Sequence, residues 1–368
     1  MQYRNFGKTG KRVSIIGFGG MRFTSDDDEA VRTMLRAREL GVNYFDTAPH
    51  YCKDRSEPLF GRALPLMDGP VYVSTKSSID DDKDAAAVRR RIENALTRMN
   101  VEKITFFNMW CIMNWAQFEA VMAKGGPYDG AVKAREEGLI EHITFSTHAN
   151  GEEIARMCQT GAYEGVTLGY NILNRKNRRS GIAAAARANM GVVAMNPLGG
   201  GMIPSGAHRF EFLKRQEEDS VVIAALKFVA SHPEITVTLS GMGKVEHVEE
   251  NVRAGDLTGG PSQTVVDEIA ARYEALGQAF CTGCRYCEPC SVGINIPDIL
   301  ACFNRQELGL DREARAFYGW YKREAGARWQ GPAACTRCGD CLPRCTQQLP
   351  IPDLLEKCHQ FFEVENPA

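Results

Sequence analysis

Gly41-Val42-Asn43-Tyr44-Phe45-Asp46-Thr47-Ala48, entered from the amphipathic segment Asp28–Leu40 and followed by Val71-Tyr72-Val73-Ser74-Thr75-Lys76, sets the reading of this chain. An apolar run of strand length, a helical pattern and a second apolar run are the signature of parallel strands joined by crossover helices. The alternation extends in both directions. Strands are expected at Ile15–Gly19, Tyr44–Ala48, Val71–Lys76, Ile104–Trp110, Ile143–Thr147, Val166–Asn171, Val192–Pro197 and Val237–Gly241. Helical segments such as Ala85–Met99, Tyr128–Glu137 and Ser220–Ser231 lie between them. Strand–helix repeats of about 30 residues predict an α/β fold, a (β/α)8 TIM barrel. A doubly wound sheet is the alternative, but no Gly-x-Gly-x-x-Gly turn follows the first strand.

A second signal lies near the C-terminus, where eight of the 13 cysteines form two runs. Cys281, Cys284, Cys287 and Cys290 are each separated by two residues; Cys335, Cys338 and Cys341 repeat that spacing and Cys345 follows after three more. Such runs hold [4Fe–4S] clusters, and the fourth cysteine of each commonly ligates the other cluster. Two zinc ions are the rival reading, but zinc sites usually separate two Cys-x-x-Cys pairs by a longer loop. Disulfides are disfavoured, because only Cys52, Cys111 and Cys158 precede the runs and the start shows no secretory signal. One departure stands out. Ferredoxin runs usually end Cys-Pro, whereas Ser291 and Thr346 follow the last cysteines here.

The 368 residues suffice for a barrel and a small appendage, and 44% hydrophobic residues supply a core. A net charge of −2 argues against a nucleic-acid binder, and no apolar stretch is long enough to span a bilayer. A cytoplasmic protein is expected. The barrel is assigned to residues 1–260, a helical linker to 261–280, and a mostly helical, ferredoxin-like dicluster domain to 281–368. That last part repeats internally: Ile296-Pro297-Asp298 and Ile351-Pro352-Asp353 each follow a fourth cysteine. Proline and then aspartate suit a helix's first turn, where an N–H is dispensable and a carboxylate meets the positive dipole end. The insert between the runs predicts a helix at Arg312–Ala325.

Active sites of such barrels lie at the C-terminal ends of the strands. There the chain resembles the aldo-keto reductase family, in Phe6-Gly7-Lys8-Thr9-Gly10, Gly17-Phe18-Gly19-Gly20-Met21, Gly41 to Ala48 and Tyr170-Asn171; with the cysteine runs it resembles the ferredoxin-fused branch. The resemblance implies Tyr51 as proton donor or acceptor, Lys76 as its tuner and Asp46 as the group that orients Lys76. The chemistry agrees: a phenol titrates near ~10, and a neighbouring cation makes it a better acid. The family's histidine at the end of the fourth strand is replaced by Trp110, whose indole donates one hydrogen bond and shuttles no proton. His148, just past the fifth strand, is the expected substitute.

The resemblance also implies a nicotinamide cofactor, NADP or NAD. Glycine-rich turns after strands seven and eight suit phosphate binding, Asn196-Pro197-Leu198-Gly199-Gly200-Gly201 and Ser240-Gly241-Met242-Gly243-Lys244, the latter opening a helix through Glu250-Asn251. Contacts are expected from Gly20, Met21, Ser146, Asn171, Asn196, Leu198, Gly200, Gly241, Lys244, Glu250 and Asn251. Thr167 stands where the family has glutamine, and His247 where an arginine often meets the 2′-phosphate.

The expected function is an iron–sulfur oxidoreductase interconverting a carbonyl and an alcohol on a small organic substrate, with NAD(P)H as hydride source. Its clusters would exchange electrons with a carrier such as ferredoxin or flavodoxin. Hydride carries two electrons and each cluster one, and no flavin site is visible. Two alternatives therefore stand: cluster-driven one-electron reduction or radical-type elimination, and an electron-transfer or regulatory protein whose barrel is a binding module.

Overall fold

The structure, a computed structural model, describes residues 1–78, 81–217, 219–257, 264, 267–268, 271, 280–281, 283, 285–345 and 347–365, with the side chains of 176 and 177 excepted. Compact packing divides the chain into two units, Met1–Leu198 with Leu213–Asp267, and Gly199–Phe212 with Glu268–Ala368. The segment Gly199–Phe212, read above as part of the barrel, groups with the second unit. Most of the expected linker lies outside the described residues.

A short antiparallel hairpin, β1 (Tyr3–Asn5) and β2 (Arg12–Ser14), begins the first unit. The barrel strands are β3 (Ile16–Gly19), β4 (Tyr44–Asp46), β5 (Tyr72–Ser78), β6 (Ile104–Trp110), β7 (Ile140–Thr147), β8 (Gly165–Gly169), β9 (Gly191–Met195) and β10 (Val237–Gly241). They pair in parallel in chain order, and β10 closes on β3. Every expected strand is present. β4 and β9 stop before the residues preceding Pro49 and Pro197, and β8 stops at Gly169 because Asn171 instead caps a 3-10 helix, Ile172–Asn177. Four of the crossover helices begin on the side-chain caps Asp26, Asp84, Asn150 and Ser220, each accepting a backbone N–H.

The hairpin was not expected, and it stoppers the barrel. Phe6, 1% exposed, packs with Val13, Tyr44, Phe106, Val193, Val237 and Leu239. Its ring lies 4.2 Å from that of Phe106 and 6.1 Å from that of Tyr44. Gly165 and Gly191 make room: a Cβ on either would collide with the Phe6 ring.

Among the described residues, the longest helices of the second unit are Ile296–Glu307, Asp311–Ala325 and Ile351–His359. The expected repeat extends to the backbone. Three residues after each fourth cysteine stands a left-handed residue, Gly293 (φ 79°) or Gln348 (φ 53°), whose N–H returns to the cysteine carbonyl. A tight turn follows, and then the helix with Pro297 or Pro352 at its second position. Ile296, Ile299, Leu300, Phe303, Ile351 and Leu355 form the core, on which Tyr318 and Phe362 stack at 4.3 Å.

Candidate functional site

Strand register builds the site in the first unit. Asp46 pairs across to Ser74, Ser74 to Phe106 and Lys76 to Asn108. Because alternate residues of a strand share a face, Asp46, Ser74, Lys76 and Asn108 turn the same way. Lys76 Nζ donates to Asp46 Oδ1 at 2.5 Å and to the Thr47 carbonyl at 2.7 Å, with side chains only 2% and 3% exposed for Lys76 and Asp46. Ser74 Oγ donates to Asp46 Oδ2 at 2.8 Å, and Asn108 Nδ2 donates to Ser74 Oγ at 2.9 Å. The sequence reading missed Ser74 and Asn108. The signal for Ser74 was the two-residue alternation counted back from Lys76; Asn108, on the neighbouring strand, is placed by register alone.

Tyr51 reaches this pair from the loop after β4. Lys76 Nζ lies 5.1 Å from the centre of the Tyr51 ring, close enough for each to act on the other's charge. Four non-glycine residues of the loop, His50, Cys52, Lys53 and Asp54, adopt left-handed backbone. Such conformations persist only where surroundings enforce them. Here His50 N–H is held by Asp54 Oδ1 at 3.0 Å and Ser56 N–H by the Tyr51 carbonyl at 3.2 Å.

Burial raises the Tyr51 phenol above its ordinary value, and Lys76 offsets only part of that rise. Burial also works against the charge on Lys76, but Asp46 and Tyr51 together hold its ammonium above the usual lysine value. The site therefore pairs a neutral phenol with a charged lysine. Trp110 stands edge-on to Tyr51, ring centres 5.8 Å apart.

The aldo/keto reductase family model matches residues 15–271. The chain belongs to the aldo/keto reductase family. Among its relatives, L-galactose dehydrogenase of Arabidopsis thaliana is 24% identical over 285 residues, 69% of this chain and 88% of that protein. The oxidoreductase C215.11c of Schizosaccharomyces pombe is 24% identical over 67% of this chain and 82% of its own length. The holo form of the aldo-keto reductase AKR11C1 from Bacillus halodurans superposes with a TM-score of 0.63 at 18% identity, covering 74% of this chain and 96% of that one. This aldo/keto reductase is accordingly an oxidoreductase, and its cysteine runs lie beyond the matched residues.

His148 in this reductase packs towards Gly169, and its carbonyl accepts from Arg178 at 2.7 Å. Burial, with the Arg178 charge, pushes its pKa down to about 3, so the imidazole is neutral at neutral pH. The other expected contacts are spread over the strand ends. Gly20 N–H donates to the Asp46 carbonyl at 2.8 Å, and Met21 is 54% exposed. Ser146 Oγ accepts from the Cys111 N–H at 3.0 Å. Asn171 is largely committed to its own chain, capping the 3-10 helix through Oδ1 and donating to the Asn196 carbonyl at 2.8 Å. Asn251 donates to Ser240 Oγ at 3.0 Å, and Glu250 accepts from Ser220 at 2.6 Å. Gly241 and Lys244 are exposed, Leu198 is half-buried, and Gly200 belongs to the second unit.

In that unit a cavity is lined by Cys287, Cys290, Cys335, Cys338 and Cys341 with Val292, Ile296 and Leu355. Cys287 and Cys290 of the first run thus share a wall with three cysteines of the second. Backbone N–H groups of Gly283 and Leu349 point at Cys281 Sγ (3.4 Å) and Cys345 Sγ (3.3 Å), and Ser291 Oγ lies 3.6 Å from Cys338 Sγ. Among the described residues no group of three or more His, Cys, Asp or Glu closes on a single metal ion. Cys284 lies outside them.

Proposed function

We propose that this chain interconverts a carbonyl and an alcohol on a small organic molecule, with Tyr51 exchanging the proton. The observation that carries the reading is the buried Asp46–Lys76 ion pair against the Tyr51 phenol. Asp46, fixed by Ser74, holds the ammonium in place beside the phenol, and its charge stabilises the phenol oxygen when the proton leaves. The raised phenol is protonated at neutral pH, which suits it as acid in the reducing direction.

A nicotinamide bound to the barrel supplies the hydride. The donors at the end of β10 fit its phosphates: Lys244 is exposed and no side chain caps the helix Val245–Asn251 that it opens. Met21, Ser146, Asn196 and Leu198 complete the proposed contacts, with Asn171 and Asn251 supporting through the bonds described.

In the second unit we propose two [4Fe–4S] clusters exchanging single electrons with a ferredoxin- or flavodoxin-like carrier. Cys335, Cys338, Cys341 and Cys290 would hold one, and Cys281, Cys284, Cys287 and Cys345 the other. Cysteines of both runs line one cavity, and N–H groups aimed at sulfur suit thiolate ligands. The dicluster domain is proposed to span residues 281–368.

Anaerobic, cluster-reconstituted protein and its Tyr51→Phe variant should be assayed for NADPH- and NADH-dependent carbonyl reduction. A loss of about 10²- to 10⁴-fold in Tyr51→Phe is expected. Undiminished turnover in that variant would remove Tyr51 from the chemistry.

A further inference from the structure

The segment Gly199–Phe212 leaves the barrel strand β9 and becomes part of the second unit. Gly199, Gly200 and Gly201, with φ of 62°, 71° and 98°, form the bend. Few other residues adopt three such conformations in succession. Beyond the bend, Met202 and Arg209 meet the helix Ile296–Glu307 and its end: Arg209 Nε donates to the Leu308 carbonyl at 2.7 Å, and Met202 Sδ accepts from Asn304 Nδ2 at 2.8 Å.

Asn304 is 4% exposed and does more than meet Met202. Its Nδ2 also donates to the Cys281 carbonyl at 2.6 Å, while its Oδ1 accepts from the Cys281 N–H at 3.1 Å. This reciprocal pair grips the peptide groups on both sides of the Cys281 Cα. One amide thus braces the peptide groups that fix the Cα–Cβ direction of Cys281. Both hydrogens of that amide are used, one for the cysteine and one for the arm. An apolar side chain of equal size would leave the N–H and C=O of Cys281 without this partner, a change buried backbone tolerates poorly.

We infer that Asn304 is the positioning residue of the first cluster's seat, and that the Gly199–Phe212 arm is a structural part of it. Loading or losing that cluster is then felt by the arm. The inference rests on the cluster reading above.

The test uses the full chain, reconstituted anaerobically, as wild type, Asn304→Leu, Asn304→Asp, Met202→Leu and Cys281→Ser. Iron content, EPR of the reduced protein, midpoint potentials and tryptic cleavage after Arg209 are measured. In Asn304→Leu the EPR signal that Cys281→Ser also alters should shift in shape and potential, and the other should stay. Asn304→Asp, which keeps the acceptor for the Cys281 N–H, should shift that signal less. Met202→Leu should move the same signal, and removing iron from the wild type with a chelator should speed cleavage after Arg209. If Asn304→Leu does not fold, Asn304→Asp and Met202→Leu decide. Wild-type signals and potentials in the Asn304 variants would overturn this inference alone. A wild-type chain that takes up no iron would overturn the cluster reading and this inference with it.

Discussion

The indole of Trp110 meets the phenol of Tyr51 at 90°, ring centre to ring centre 5.8 Å. A perpendicular aromatic pair contributes about 0.5–1.5 kcal/mol beyond the area it buries. Trp110 also helps to keep water from the phenol, and burial is the largest cause of that phenol's raised pKa. Trp110→Ala should therefore lower the Tyr51 pKa. The proposed reduction needs the protonated phenol, so the alkaline fall of its pH–rate profile should begin at lower pH in the variant. A profile that does not move would mean that the indole leaves the phenol's environment unchanged.

Removing the lysine should cost stability as well as rate. Lys76→Met leaves Asp46 buried without its cation, and breaking a buried pair costs about 3–5 kcal/mol. Urea denaturation of the two proteins at neutral pH checks this. Because Lys76 is held above the ordinary lysine value, its contribution is complete at neutral pH and is lost only as pH rises through that elevated value. The difference between wild type and variant should narrow only in strong alkali.

Acid should destabilise the barrel through its histidines. Burial pushes His148 down from 6.5 to about 3 and His232 from 6.5 to about 4. The Nδ1 of His232 lies 2.9 Å from the Phe228 carbonyl and its Nε2 2.9 Å from the Tyr170 hydroxyl, a geometry satisfied by a neutral ring that donates to one and accepts from the other. Below about pH 6.5 the unfolded chain binds protons that the folded chain refuses, so stability falls as pH drops towards the folded values. Thermal midpoints followed from pH 7 to pH 4 should fall less steeply in His148→Asn than in the wild type.

The shared cavity wall predicts a crossed phenotype. Cys290→Ser should impair the cluster proposed for Cys335, Cys338 and Cys341, although Cys290 lies in the other run. The spectrum lost should match that lost in Cys338→Ser and differ from that lost in Cys281→Ser. Loss of the same signal in Cys290→Ser and Cys281→Ser would mean that each run serves its own cluster.

The barrel was legible because each strand is an apolar run bounded by turn residues, and the Pro-Asp repeat because helix starts are written in local chemistry. The hairpin was not, since Tyr3–Asn5 and Arg12–Ser14 are three residues each and carry no alternation long enough to read. Asp46, Tyr51 and Lys76 followed from the resemblance to the family, with residue type and strand position in agreement. The net direction of the Tyr51 shift could not, because it is a contest between burial and a neighbouring charge that only coordinates resolve. Nor could any pattern reveal that Gly199–Phe212 joins the second unit; that depends on Asn304 and Leu308, distant in the chain.

Phe6, seated against Tyr44 and Phe106, plugs the barrel at the end where the hairpin lies. Were the proposed cofactor and substrate to share the opposite end, they would have to queue: whichever binds deeper arrives first and departs last.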